Sequence, residues 1–281
     1  MNNVRGFSLI ELMISLVLGT IITIAIIQVM VSSRITNGLN QSVAQVQESG
    51  RYIMTRLSRD LLEAGRYDRV GTVMDTSVDT SVEAAFVQNH PIGLAGDFIL
   101  SPALGSEEGA SGASDKLVIN KQDNVDCTGS THGYTDSRHF HVVNVYEIKQ
   151  SKLVCRGYDG RLLRGVKSGT LTGTTVTLMD NVESFQVQYG ISTSATTSNG
   201  LPVRYVTADA LASTRAALQQ TVTLRIGVLL KSDSNEISQI PVSDIAVLNE
   251  APVTTDENHY YQVFTQTMAL RNMKNFVRSA K

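Results

Sequence analysis

The chain has 281 residues, with 24 Lys and Arg against 26 Asp and Glu for a formal net charge of −2. That balance excludes a protein that works by massed neutralisation of nucleic-acid phosphates. With 42% hydrophobic and only 18% charged residues, the chain is too apolar for a wholly soluble cytosolic protein. It is also too rich in Val, Ile, Leu and Tyr for overall disorder.

The charge deficit lies at the start. Residues 1–6 are polar and carry one positive charge, Arg5, and residues 7–31 form an apolar run of 25 in which Glu11 is the one ionisable side chain. As a helix the run covers about 37 Å, and a bilayer core of about 30 Å needs roughly 20 residues. No small-residue site of the secretory kind follows it, so it reads as a retained membrane span. Arg5 places its N-terminal end in the cytoplasm and the 250 residues after it on the far side. Glu11 costs a few kcal/mol inside a span, so it needs a partner or a task, unless it sits among headgroups.

The string Arg5-Gly6-Phe7-Ser8-Leu9-Ile10-Glu11 resembles the type III signal of type IV prepilins and pseudopilins. The resemblance implies that a prepilin peptidase cuts between Gly6 and Phe7 on the cytoplasmic side and methylates the new amino group of Phe7. It also makes Glu11 the residue of subunit assembly. The new ammonium at Phe7 is disfavoured by the helix dipole, and a carboxylate one turn away or on a neighbouring subunit neutralises it. Many major pilins carry a mid-span proline that this chain lacks; Gly19 and Gly38 are its interior weak points.

Past the span, Ile35, Leu39, Val43, Val46, Ile53, Leu57 and Leu61 recur at steps of three, four and seven, one stripe along a helix. Arg34, Asn37, Gln41, Gln45, Glu48, Arg51, Arg59 and Asp60 are expected on the opposite face, and Gly65 is the expected stop. Residues 68–115, rich in Gly, Ser, Asp and Thr and with the tandem Asp75-Thr76-Ser77-Val78 and Asp79-Thr80-Ser81-Val82, read as a long connection with little regular structure. Strands are expected at 116–119, 141–148 and 153–158, with a hairpin loop at Lys149-Gln150-Ser151 and a tight turn at Asp159-Gly160. Clean alternation at 184–191 and 221–230 predicts half-buried antiparallel strands. A short helix is expected at 208–219 and a last strand at 260–270. The whole is α+β: a long N-terminal helix, its first half in the membrane, packed on an antiparallel β-sheet head in the manner of a type IV pilin. The expected divisions are a leader at 1–6, the span at 7–31, the outer half of the helix at 32–65 and the head at 66–281.

The two cysteines, Cys127 and Cys155, would be oxidised to a disulfide outside the inner membrane; a metal site, the alternative, lacks further ligands. His139-Phe140-His141, with His132 nearby, could offer imidazoles to Zn²⁺ or Cu²⁺, but no ligand spacing supports a metal, and a solvated strand face is expected. No catalytic motif and no cofactor fingerprint stands out, which argues against an enzyme.

The segments Asp126-Cys127-Thr128-Gly129, Asn144-Val145-Tyr146, Lys152-Leu153-Val154-Cys155-Arg156, the stretch 180–190 and the ending from Val263-Phe264 to Met268-Ala269-Leu270-Arg271-Asn272 are similar to those of PilW-type minor pilins. The resemblance implies a structural protein that helps initiate type IV pilus assembly at the tip, in support of twitching motility, adhesion or DNA uptake. Implied partners are other minor and major pilins, the prepilin peptidase, the inner-membrane assembly platform and membrane lipid, with the head periplasmic and later on the pilus. A type II secretion pseudopilin shares the signal and the helix, and a tip adhesin or receptor is a further alternative.

Overall fold

The computed structural model describes residues 8–69, 71, 73–193, 200–233 and 242–272. Helix α1 (Leu9–Leu62) runs for 54 residues, about 81 Å. Ser8 stands extended at its N-cap and Glu11 lies in its first turn, where a negative charge favours the helix dipole. The helix passes Gly19 and Gly38 unbroken. It ends just before Gly65, whose φ of 72° is left-handed and suits a residue without Cβ; the Gly65 N–H donates to the Asn120 carbonyl at 2.8 Å.

The stripe that docks is Ser42, Val46, Gly50, Ile53, Met54, Leu57, Asp60 and Leu61. It begins later than the spacing alone predicts. Ile35 is exposed, and Leu39 and Val43 are half-buried; the head reaches the helix by Gln45, which bonds Asp233. Asp60, expected on the solvent face, is buried and accepts a hydrogen bond from the Tyr146 hydroxyl at 3.1 Å. Burial and then the Asp60 charge hold the Tyr146 hydroxyl well above its usual pKa.

The long connection after α1 is not structureless. Helix α2 (Thr80–Asn89) starts at the second copy of the tandem repeat, where the Asp79 side chain accepts from the Ser81 and Val82 N–H groups, an N-cap that the repeat concealed. The helix is held from a distance. Its buried Glu83 takes a two-pronged hydrogen bond from the fully buried Arg161, at 2.7 Å to Nε and 2.8 Å to Nη2, and another from the Tyr67 hydroxyl. Breaking such a buried pair costs about 3–5 kcal/mol, so this contact fixes the excursion to the head.

Two four-stranded antiparallel sheets make up the head. The first has the order β1 (Leu117–Asp123), β2 (Phe140–Lys149), β3 (Lys152–Asp159) and β4 (Thr174–Met179). The β2–β3 loop is a two-residue turn at Gln150 and Ser151, both with positive φ, closed by Lys149 opposite Lys152. The Asp159-Gly160 turn is instead the start of a short helix, α3 (Gly160–Leu163), because the Asp159 side chain caps it by accepting from the Arg161 N–H. The second sheet has the order β10 (Tyr261–Ala269), β7 (Thr221–Lys231), β5 (Val182–Ile191) and β6 (Arg204–Val206). After β6 come a 3₁₀ turn (Ala208–Ala210) and helix α4 (Leu211–Ala216). A small ribbon of β8 (Asp244–Ile245) and β9 (Val253–Thr254) lies between β7 and β10 in the chain. Asp233-Ser234-Asn235-Glu236, which reads as a hairpin turn from its residue types, falls largely outside the described residues.

The alternating strands are not half-exposed. On β5, Ser184, Gln186 and Gln188 are as buried as Phe185, Val187 and Tyr189, and on β7 so are Thr223 and Leu229. Their second face is covered by chain from elsewhere. On β5 the Gln186 amide donates to the Ala113 carbonyl at 3.0 Å, and on β7 Val247 and Leu248 press on Gly227; the same loop closes the open edge of β5, where the Ser114 hydroxyl accepts from the Phe185 N–H and the Asp115 carboxylate from the Val187 N–H. The main core lies where α1 meets both sheets, with Ile53, Leu57 and Leu61 among Tyr146, Leu153, Phe185, Leu224, Ile226 and Val228.

Candidate assembly interface

Among the described residues, the first half of α1 is packed against no other part of the chain. Every large apolar side chain from Leu9 to Val31 is at least 50% exposed, and no part of its most apolar stretch is buried. A helix that is apolar all round and bare needs an apolar environment from outside. Its hydroxyls make no sideways demand, because Ser15 donates to the Leu12 carbonyl at 2.9 Å, Thr20 to Val17 at 2.8 Å and Thr23 to Gly19 at 2.7 Å. Such backbone-directed bonds satisfy polar groups within the helix itself. Glu11 stands exposed in the first turn, the single formal charge on this surface. Gly6 and Phe7 lie outside the described residues.

Between the apolar run and Ser42, residues 32–41 form a largely exposed stalk, about 15 Å long at a helical rise. Above it the helix is locked to the head by shape as well as polarity. Gly50 faces β10, and a Cβ there would overlap the ring of Phe264, so the missing side chain admits the ring. The Ser58 hydroxyl donates to Gln266 Oε1 at 2.8 Å, Lys121 bonds Glu63 at 2.8 Å, and the Asn272 amide closes the helix end on the Leu62 carbonyl at 2.7 Å. Spacing had the signal for two of these contacts. Gly50 is four past Val46, and Asp60 is seven past Ile53, so both sit in the stripe by position. Residue type had assigned Asp60 to solvent.

Cys127 and Cys155 are joined in a disulfide, with Cα atoms 6.3 Å apart. The histidines are not brought together for a metal. His141 is fully buried with Nε2 at 2.8 Å from Asn120 Oδ1, and burial followed by the Arg164 charge keeps it well below its usual pKa, hence neutral. His139 precedes the strand and His132 is bonded to Asp126 at 2.8 Å. The solvated strand face expected for His139 and His141 is therefore corrected: the start of β2 lies beneath Phe86 of α2 and against Gly160.

Comparison with known proteins gives two family matches. The prokaryotic N-terminal methylation motif matches residues 1–27, and the family Type IV Pilus-assembly protein W (PilW) matches residues 139–272, from just before β2 to just after β10. No curated protein matches the chain. Among solved structures, a type IV-like pilin from Thermus thermophilus is similar at 11% identity and a TM-score of 0.41, over 84% of this chain and 98% of that one. With a PilW match over its head strands and the methylation motif on its apolar helix, the chain is similar to the minor-pilin-like proteins of type IV pilus assembly.

Proposed function

We propose that the chain is a structural minor pilin that helps initiate a type IV pilus at its tip, with no catalysis of its own. In this reading residues 1–6 are a leader removed between Gly6 and Phe7 by the prepilin peptidase, Phe7 is methylated, and residues 7–31 anchor the protein in the inner membrane. The outer half of the helix and the head stand in the periplasm until the subunit joins the pilus. The partners are other minor and major pilins and the inner-membrane assembly platform. The observation that carries the reading is the bare half of α1 with a carboxylate in its first turn: a surface that suits lipid before assembly and the helices of neighbouring subunits after it. Glu11 then neutralises the ammonium at Phe7 of an adjoining subunit.

The test is Glu11→Gln in a strain lacking the native gene, with cleavage, crosslinking to other pilins and pilus number scored separately. Membrane insertion and cleavage are expected to survive, since a neutral amide is cheaper to bury than a carboxylate. Crosslinking and pilus number are expected to fall, because an adjoining ammonium left buried and unpaired costs about 3–5 kcal/mol. Normal pili with Gln at this position would refute the pairing role, and loss of protein secretion with pili intact would point to a secretion pseudopilin. An intact Met1 by mass spectrometry in purified membranes would refute processing.

A further inference from the structure

A strand at the rim of a sheet leaves a row of backbone N–H and C=O groups unpaired, and folds usually close or blunt such rims. In the first sheet the rim at β1 is closed. The Val118 carbonyl accepts from the Gly93 N–H at 2.9 Å, the Asn120 N–H donates to the Pro91 carbonyl at 3.0 Å, and the Gln122 N–H donates to the Arg66 carbonyl at 2.9 Å. In the second sheet, Ser114 and Asp115 close β5, β6 has three residues, and β10 lies against α1 at Phe264 and Gln266. The rim at β4 is different.

The two-residue turn at Gln150 and Ser151 makes Lys149 and Lys152 a hydrogen-bonded pair. Lys152, Val154, Arg156 and Tyr158 then bond β2, and the residues between them bond β4. Cys155 and Gly157 stand opposite Val176 and Thr174, which leaves Thr175 and Thr177 with N–H and C=O turned outward. The same alternation assigns Val118, Asn120 and Gln122 to the outer side of β1, where their bonds are found. Among the described residues no hydrogen bond reaches the backbone of Thr175 or Thr177 from outside the sheet. Val176, Leu178 and Met179 are half-buried at the border of the main core, so this rim leaves apolar packing unfinished as well as bonds unmade. Residues 168–179 hold no charged side chain, and nearby Lys152 and Arg156 are engaged by Asp180 at 2.8 Å and Glu147 at 3.5 Å. A Lys or a Pro, the usual guards of a free rim, is absent from β4.

We propose that the free rim of β4 takes up an extended strand from another pilin subunit, main chain to main chain at Thr175 and Thr177, with an apolar side chain of the guest covering Val176 and Leu178. The proposal rests on the reading of the chain as a pilus subunit. Two anchored copies cannot do this by pairing their own β4 strands in antiparallel. Such a pair is related by an axis normal to the sheet. Helix α1 crosses the face of that sheet, from a cleft shared with Leu178 and Met179 of β4 to Tyr146 of β2 and Lys121 of β1. The rotation would reverse α1 and send the two bare halves in opposite directions instead of into one membrane. In antiparallel register the guest is therefore a different chain, chosen by its extended backbone and apolar side chains rather than by charge.

The experiment is hydrogen exchange of the full-length, disulfide-bonded protein in detergent, alone and co-purified with each of the other minor pilins produced alongside it. Alone, the Thr175 and Thr177 amides are expected to exchange at least about tenfold faster than those of Thr174 and Val176, which bond β3. In complex with the guest subunit they should slow by about tenfold or more. Thr177→Pro removes an N–H that its own sheet does not use, so the variant should melt within about 3 °C of wild type, while co-purification of the guest falls about tenfold. Unchanged exchange at both threonines in a complex that forms would overturn the proposal. So would undiminished co-purification by the proline variant, or a melting point far below wild type, which would show that its own sheet uses the Thr177 N–H. Slowed exchange in a homodimer of the chain alone would overturn it in favour of a second copy. No complex with any pilin, in a strain whose pili need the gene, overturns this proposal alone, whereas pili that do not need the gene overturn the pilus reading itself.

Discussion

Helix α1 carries two apolar surfaces on one continuous backbone, and they obey different rules. Below residue 32 the apolar side chains point in every direction and none is buried. Above residue 41 they form one stripe, and the positions between them are exposed or half-buried. The docked half has its partner within the chain, in a core with shape and polar demands: a glycine where a ring enters and an aspartate where a phenol waits. The bare half makes no demand of shape, only of polarity. A partner that must be found elsewhere favours a surface tolerant of many neighbours, whereas a partner built into the fold favours one that accepts a single arrangement.

Substitution should separate the halves most at the centre of the docked stripe. Leu57→Ala, at a position with no exposure, should lower head stability by about 3–4 kcal/mol, whereas Ile22→Ala should leave it unchanged. Urea unfolding of the detergent-solubilised chain reads both, and an equal loss from the two would erase the distinction. Next, removing the disulfide by Cys127→Ser with Cys155→Ser opens a link of sequence separation 28, for a loss of about 3 kcal/mol in the chain-entropy model. Extraction of the protein from membranes should not change, since the bond belongs to the head. Tyr146→Phe leaves the buried Asp60 with only Arg56, at 3.6 Å, and should cost about 1–3 kcal/mol. The smallest effect is expected at Gly50→Ala, about 1 kcal/mol from overlap with Phe264. Phe264→Leu should recover part of it, and two independent losses that simply add would show that the ring does not use the notch.

The sequence made the two halves legible because each rests on local information. A run of uncharged residues and a step of three or four need no knowledge of the rest of the chain, and the strands β2, β3 and β10 follow for the same reason. What stayed hidden depends on distant partners. Helix α2 carries few apolar residues and is held by Arg161, 78 residues further on than Glu83. On the polar face of β5, Gln186 is held by the Ala113 carbonyl, 73 residues earlier, and the strand's open edge is closed by Ser114 and Asp115. His141 looked solvated because a histidine on a strand gives no sign of the helix that covers it. In the candidate interface, the bare apolar run with its one carboxylate was readable, while Gly50 and Asp60 needed their positions weighed above their residue types.

The inward-turned hydroxyls of Ser15, Thr20 and Thr23 bear on how such a helix could leave a bilayer. A side chain that bonded lipid headgroups or water would have to break that bond on departure and find a replacement among protein neighbours. These three carry their acceptors with them, so passage from fatty-acyl chains to packed helices leaves their hydrogen bonding unaltered. For the leucines, isoleucines and valines the two environments are alike in polarity, and transfer is close to neutral. Gln28 is uncharged, which leaves Glu11 as the one side chain of the described span whose free energy differs steeply between lipid and a site holding a cation. On the reading proposed above, extraction of the helix would be nearly a balanced exchange along its length, with its direction decided at one end.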